Sequence, residues 1–163
     1  MLTTIAVLII VLGLMVSLAR HVRAASADQL TKDILHGLDE AMAAYVKDND
    51  DALPPVPPII GQDPSPPNEN AIAHAAAQNN AAFILYLQRK GYLNGRFGDL
   101  SIVYFDELRV RDAWGSPIVF MPAMHPAIGM SPKGWFFFSA GPDRQYLTRD
   151  DNLYSYEQPG AQP

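Results

Sequence analysis

The first 46 residues constrain this chain more than anything that follows. Leu2 to Ala19 is an apolar run broken only by Thr3, Thr4, Gly13 and Ser17, and it carries no charge. Its 18 residues reach the lower limit for a helix that crosses a bilayer. Hydroxyl side chains are tolerated in lipid because they bond their own helix backbone. From Val22 to Val46 there is no proline and one glycine, Gly37, and the apolar residues keep a helical beat. Leu35, Leu38, Met42 and Tyr45 recur at spacings of 3, 4 and 3, with Leu30 and Ile34 beside that line. Asp28, Lys32, Asp33, Asp39, Glu40 and Lys47 fall on the other faces. The pattern predicts one continuous helix, apolar all round in its first half and amphipathic in its second. At 1.5 Å per residue it would be roughly 70 Å long. The stripe from Leu35 to Tyr45 needs a cover, so a globular domain must pack on it.

Three readings fit the N-terminus: a retained membrane anchor, a cleaved signal peptide, or a buried helix of a soluble protein. Ala25-Ser26-Ala27 has the small-x-small form of a cleavage site. Against cleavage, no Lys or Arg precedes the apolar run, while Arg20, His21 and Arg23 lie between it and that site. Retention is the preferred reading, with residues 1–20 as the transmembrane part and 21–163 as one domain. Arg20 and Arg23 would place the C-terminal end of the span in the cytoplasm by the positive-inside rule, a bias resting on two residues and a histidine. Net charge is −5 with scattered basic residues, which disfavours nucleic acid as a partner. The chain has no cysteine, which excludes disulfides, thiolate metal sites and a lipoprotein anchor.

The helix over 21–47 should stop where Asp48-Asn49-Asp50-Asp51 begins. The 53–70 segment holds seven of the fourteen prolines and reads as an extended loop of polyproline II character. Pro54 and Pro57 stand in PxxP spacing, which admits a ligand for a proline-binding module beside the plainer reading of a stiff surface connection. An alanine-rich second helix is predicted over 69–90, with Ile72, Ala76, Phe83, Ile84 and Leu87 on or near one face and Gly91 as its C-cap. The remainder, 100–157, reads as β with loops. Leu100–Phe105 is an irregular strand or loop. Ser116–Met121, Gly134–Ser139 and Leu153–Tyr156 are strands of an antiparallel meander. The run Trp135-Phe136-Phe137-Phe138 suggests burial on both faces, one of them against the long helix. The tail Gln158–Pro163 should fray. The fold class is therefore α+β, a long N-terminal helix packed on a small antiparallel sheet.

Asp112-Ala113-Trp114-Gly115-Ser116-Pro117 reads as a structural corner where the chain enters the sheet, with Asp112 capping the turn. Ser139-Ala140-Gly141-Pro142-Asp143 follows the aromatic strand, and Asp150-Asp151-Asn152 precedes the last one. Carboxylates at both ends of one loop, with spare backbone carbonyls, suit a hard cation such as Ca²⁺. Two ordinary turns whose aspartates bond their own backbone give the same pattern. Arg144 and Arg149 stand close enough in sequence to neutralise those carboxylates. The pairs Asp39-Glu40 and Asp106-Glu107 point apart and make no acid–base dyad. His21, His36, His74 and His125 lack metal-ligand spacing, Ser139 lacks a nucleophile-elbow context, and no phosphate-binding glycine loop is present.

In this order the elements resemble the type IV pilin-like proteins, most closely the major pseudopilins of type II secretion systems. That family has D-P-W-G-N-P-Y at the start of its sheet, where this chain has D-A-W-G-S-P-I. It also has S-x-G-x-D-G followed by paired aspartates, where this chain has S-A-G-P-D-R and then Asp150 and Asp151. The architectural likeness spans about the whole chain, the sharp motifs about 20 residues. The resemblance implies a non-enzymatic filament subunit, anchored in the bacterial inner membrane by the long helix, with its sheet domain in the periplasm. Its partners would be other pilin-like subunits, met through the N-terminal helix, the inner-membrane secretion platform and membrane lipid. The family's last loop binds calcium, which carries over to Asp143, Asp150 and Asp151 as side-chain ligands. Three features depart from the family. No basic leader ending in glycine precedes the apolar run, as an upstream start or a trimmed sequence would explain. No acid precedes Asp28, so the family's glutamate at the fifth mature position is replaced by Ile5 or Ala6; some minor, tip-located members lack it too. Arg144 stands where the family has glycine after the loop aspartate. The rival expectation is a solitary membrane-tethered periplasmic binding domain that never polymerises. An exported hydrolase is a third, with no catalytic set behind it.

Overall fold

A computed structural model describes residues 2–60, 68–94, 97, 100, 103–105 and 108–157. Helix α1 runs unbroken over Leu2–Asp48 and helix α2 over Glu69–Arg89. Strands β1 (Val119–Met121), β2 (Phe136–Ser139) and β3 (Leu153–Tyr154) form one antiparallel sheet in the order β1-β2-β3. The fold is thus α+β with a meander, as the periodicity implies. Each strand is shorter than its apolar stretch, because Pro117 and Trp135 lie before the ladders and Ser155 begins a turn after β3. The tail, Asp106-Glu107 and part of the proline-rich segment lie outside the described residues.

Sequence dictates where both helices stop. After α1, Asp50 and Asp51 take left-handed φ of 54° and 60°, and the Asp51 N–H closes back on the Val46 carbonyl at 3.0 Å. After α2, Gly91 adopts φ 79°, its N–H bonds Gln88 O at 2.9 Å, and the Tyr92 N–H bonds Leu87 O at 2.9 Å. Asn68 caps the other end of α2 through its side chain.

The two halves of α1 differ completely. Every described side chain from Ile5 to Ser26 is exposed, including Ile9, Ile10, Leu14 and Leu18. From Thr31 onward one face is buried, with Ile34, Leu35, Leu38, Ala41, Met42 and Tyr45 in the core. The helix is long and apolar enough to cross a membrane.

Strand alternation divides the core into two. On one face Ile118, Phe120, Phe137 and Trp135 pack against the α1 stripe together with Phe83, Ile84 and Leu87 of α2, the Phe83 ring meeting those of Phe120 and Phe137. On the other face Val119, Met121, Phe136, Phe138 and Tyr154 are covered mostly by connections, through Ile59, Ile128 and Tyr146. The aromatic strand is therefore buried on both sides. Pro54 is buried as well, so the start of the proline-rich segment packs on the domain.

The outer edge of β1 has no partner strand among the described residues and is closed by two adjacent side chains of α2. Asn79 receives the Phe120 N–H (2.8 Å) and donates to Phe120 O (2.9 Å) and Pro57 O (2.9 Å). Asn80 receives the Val110 N–H (3.0 Å) and donates to Val110 O (2.8 Å) and Ile118 O (2.6 Å). A primary amide carries one acceptor and two donor hydrogens, so it serves a strand edge as another strand would.

Candidate functional site

The two motifs of the sheet domain meet. Asp112 is fully buried, and its Oδ1 accepts the N–H groups of Trp114 (3.0 Å) and Ser116 (2.8 Å). That leaves the tight turn to Gly115, at φ 92°. The Asp112 Oδ2 accepts the Ser139 hydroxyl at 2.6 Å, and Ser139 Oγ accepts the Gly141 N–H at 3.0 Å. Residues 27 apart in sequence thus form one joint. It is fixed to α1 by the Ala113 N–H on Thr31 Oγ1 (3.1 Å), and to the last loop by the Tyr146 hydroxyl on Pro117 O (2.8 Å). Burial pushes the Asp112 carboxyl above its ordinary value, against the opposing pull of the Ser139, Ser116 and Trp114 donors. Tyr146 is also raised, first by burial and then by the Asp112 and Glu69 charges. Ser139 is fully buried with its hydroxyl committed to Asp112, which is how a joint is held rather than how a nucleophile is presented.

The joint carries the loop over residues 141–152. Gly141 is required twice. Its φ is 68°, and a Cβ there would lie 1.9 Å from the Asp151 carbonyl oxygen, where the two ends of the loop cross. Asp143 accepts the Gln145 N–H and the Thr148 hydroxyl, one on each carboxylate oxygen. Arg144, at the family's glycine position, holds φ 61°, the left-handed conformation glycine favours. From below, Glu69 at the start of α2 accepts the N–H groups of Tyr146 (3.1 Å) and Leu147 (2.9 Å) on its two carboxylate oxygens. Asn152 donates to Tyr146 O at 3.0 Å, while its own buried Oδ1 has no hydrogen-bond partner among the described residues.

The structure divides the three aspartates singled out as metal ligands. Asp143 closes its own turn. Asp150 and Asp151 line a cleft against α1, and neither carboxylate is hydrogen-bonded or ion-paired among the described residues. Among the described residues, no group of three or more His, Asp or Glu side chains is gathered in a metal-holding arrangement. The histidines stay apart: His21 and His74 are exposed, His36 pairs with Glu40 at 3.3 Å, and His125 accepts the Ala127 N–H.

One placement corrects the sequence pattern. Asp39 is buried rather than on a solvated face. It accepts the Lys133 ammonium and, at 3.2 Å, the Ser155 hydroxyl. Lys133 also lies over the Trp135 ring, 5.2 Å from its centre, so this contact clamps α1 to the β2 end of the sheet. Asp39 stands four residues after Leu35 and three before Met42, and that spacing was the available signal. Thr31, Glu69, Asn79 and Asn80 are the other polar residues that periodicity overlooks. Two adjacent asparagines inside an alanine-rich helix are themselves a signal, because asparagine is disfavoured there unless it serves another backbone.

No family model matches the chain, and no curated protein or solved structure matches it.

Proposed function

We propose that this chain is a membrane-anchored, pilin-like filament subunit of a bacterial secretion or pilus machine, structural and non-enzymatic, with the sheet domain in the periplasm. One observation carries the reading. A single unbroken helix has a half that is apolar all round and free of the domain, and a half clad by the domain. A membrane anchor needs only the first half. A rigid helix continuous into the domain core also fixes how the domain stands on a neighbouring helix, which filament packing requires. The union of the D-A-W-G-S-P and S-A-G-P-D elements in one buried joint supports the family resemblance, since it gives both motifs one structural reason to occur together. The partners are other pilin-like subunits and the inner-membrane secretion platform.

Calcium at the last loop belongs to the same proposal. Asp150 and Asp151 are adjacent carboxylates free of internal bonds among the described residues, the oxygen donors a hard cation takes. Asp143 fits only if its turn with Thr148 opens. Bound calcium would pin the loop in a chain that has no disulfide. Thermal unfolding of the full chain in detergent should shift upward with millimolar calcium, and Asp150→Ala with Asp151→Ala should remove the shift. An unchanged midpoint removes calcium and leaves the filament reading intact.

The filament reading is tested by single cysteines placed in turn along positions 5 to 18 of this cysteine-free chain. Oxidation in the membrane should give ladders of crosslinked subunits. Monomer alone at every position would overturn the reading in favour of a solitary tethered domain.

A further inference from the structure

Where α1 leaves the domain there is a cleft of about 710 Å³, lined by His21, Asp28 and Lys32 of α1 and, opposite, by Trp114, Asp150 and Asp151. Lys32 is paired with Asp28 at 2.8 Å. Three carboxylates face one ammonium across this lining, a formal excess of two negative charges with His21 neutral. Just below, Arg20 and Arg23 are exposed, lie three residues apart on neighbouring sides of the helix, and have no ion pair among the described residues. The chain thus carries two unpaired cations and a cleft short of two cations.

A copy's own arginines are turned aside from its cleft: at 3.6 residues per turn Arg20 and Arg23 stand roughly 80–160° round α1 from the His21 and Asp28 that line it. Asp28 lies eight and five residues beyond Arg20 and Arg23, about 8–12 Å along the axis. Helical side chains also lean toward the N-terminus, which here is away from the cleft. A parallel neighbour displaced by that rise brings its arginines level with Asp28, Asp150 and Asp151. The half-buried Trp114 ring then offers a guanidinium its face.

We propose that this cleft is the docking site for Arg20 and Arg23 of a second copy, a contact that rests on the filament reading above and takes the place of calcium at Asp150 and Asp151. Because the docked copy is shifted along the common axis, the contact is not two-fold. Each copy offers arginines to one neighbour and its cleft to another, so the series stays open and does not close as a dimer.

The test uses two differently tagged full-length copies in one membrane, one carrying Arg23→Cys and the other Asp151→Cys. A mixed 23–151 disulfide is expected, in excess of any 23–23 pair. A 23–23 product alone, or no product, overturns the inference. A charge swap supplies the second readout. Asp150→Lys with Asp151→Lys should reduce the ladder from the cysteines at 5–18 several-fold, and adding Arg20→Glu with Arg23→Glu should restore it. If the unsubstituted chain forms no ladder, the filament reading falls and the inference with it. If it forms a ladder that the lysines leave unchanged, only the inference falls. Loss without rescue also overturns the inference.

Discussion

The two faces of the sheet are covered by different means. Helices cover the first, and apart from Thr31 and Asp39 their contribution is apolar: Leu35, Leu38, Met42 and Tyr45 of α1 and Phe83, Ile84 and Leu87 of α2 against Phe120, Trp135 and Phe137. Mostly connections cover the second, and they are held by polar bonds. The Tyr154 hydroxyl donates to Ile128 O at 2.6 Å and Tyr146 to Pro117 O, Glu69 holds two amides of the last loop, and Asp112 and Ser139 join its base. The reason is general. A helix satisfies its own backbone and can bring pure hydrocarbon to a core. A loop brings unpaired N–H and C=O groups, each of which must find a partner once buried. Buried polar residues therefore concentrate on the face covered by loops.

Substitutions can break or sharpen that contrast. Leu38→Asp places an unpaired charge in the helix-covered core and should cost on the order of 4 kcal/mol. Near-native thermal stability of this variant would refute the packing of α1 on the sheet. On the other face, Gly141→Ala should cost about 3 kcal/mol, because the added methyl meets the Asp151 carbonyl and the backbone must leave its left-handed conformation. Urea unfolding measures it, and a loss no larger than an ordinary surface substitution would mean the loop ends do not cross as described. Asp112→Ala strips the acceptor from two amides and one hydroxyl, with an expected loss of about 2–3 kcal/mol, whereas Asp112→Asn keeps one oxygen and should lose less. Asp112 also has a sign in pH. Its folded value is raised above its unfolded one, so the stability it contributes is complete below about pH 4 and is lost as pH rises through the raised value. Wild type should therefore gain on Asp112→Asn between neutral pH and about pH 4, and a gap that shrinks on acidification contradicts the burial. Tyr146→Phe removes one hydroxyl bond at the edge of the same face and should cost about 1 kcal/mol, read as a small fall in midpoint.

What sequence made legible follows the same division. The 3-4-3 spacing of Leu35, Leu38, Met42 and Tyr45 locates α1, its buried face and its cover, because helix periodicity is local. The strand order and the turn-capping role of Asp112 are legible for the same reason, since the amides it holds are two and four residues away. Thr31, Asp39, Glu69, Asn79 and Asn80 are not. Their partners lie 22 to 116 residues off, and a polar residue in a helix looks solvated until the loop it serves is in place. The aspartates of the last loop fall between. Their nearness in sequence suggests one site, yet Asp143 turns into its own bonds while Asp150 and Asp151 face α1.

The paired asparagines on the edge of β1 have a bearing on life in a crowded membrane. An uncovered strand edge is an invitation for any neighbouring chain to add itself by backbone pairing, and the bilayer anchor proposed above would keep identical domains close together. With Phe120 already answered on its outer side by Asn79, and Ile118 and Val110 by Asn80, that route to accretion is shut at the β1 edge. The contacts proposed between copies would then run through side chains and helices, where selectivity is written, rather than through the backbone, which is common to every protein.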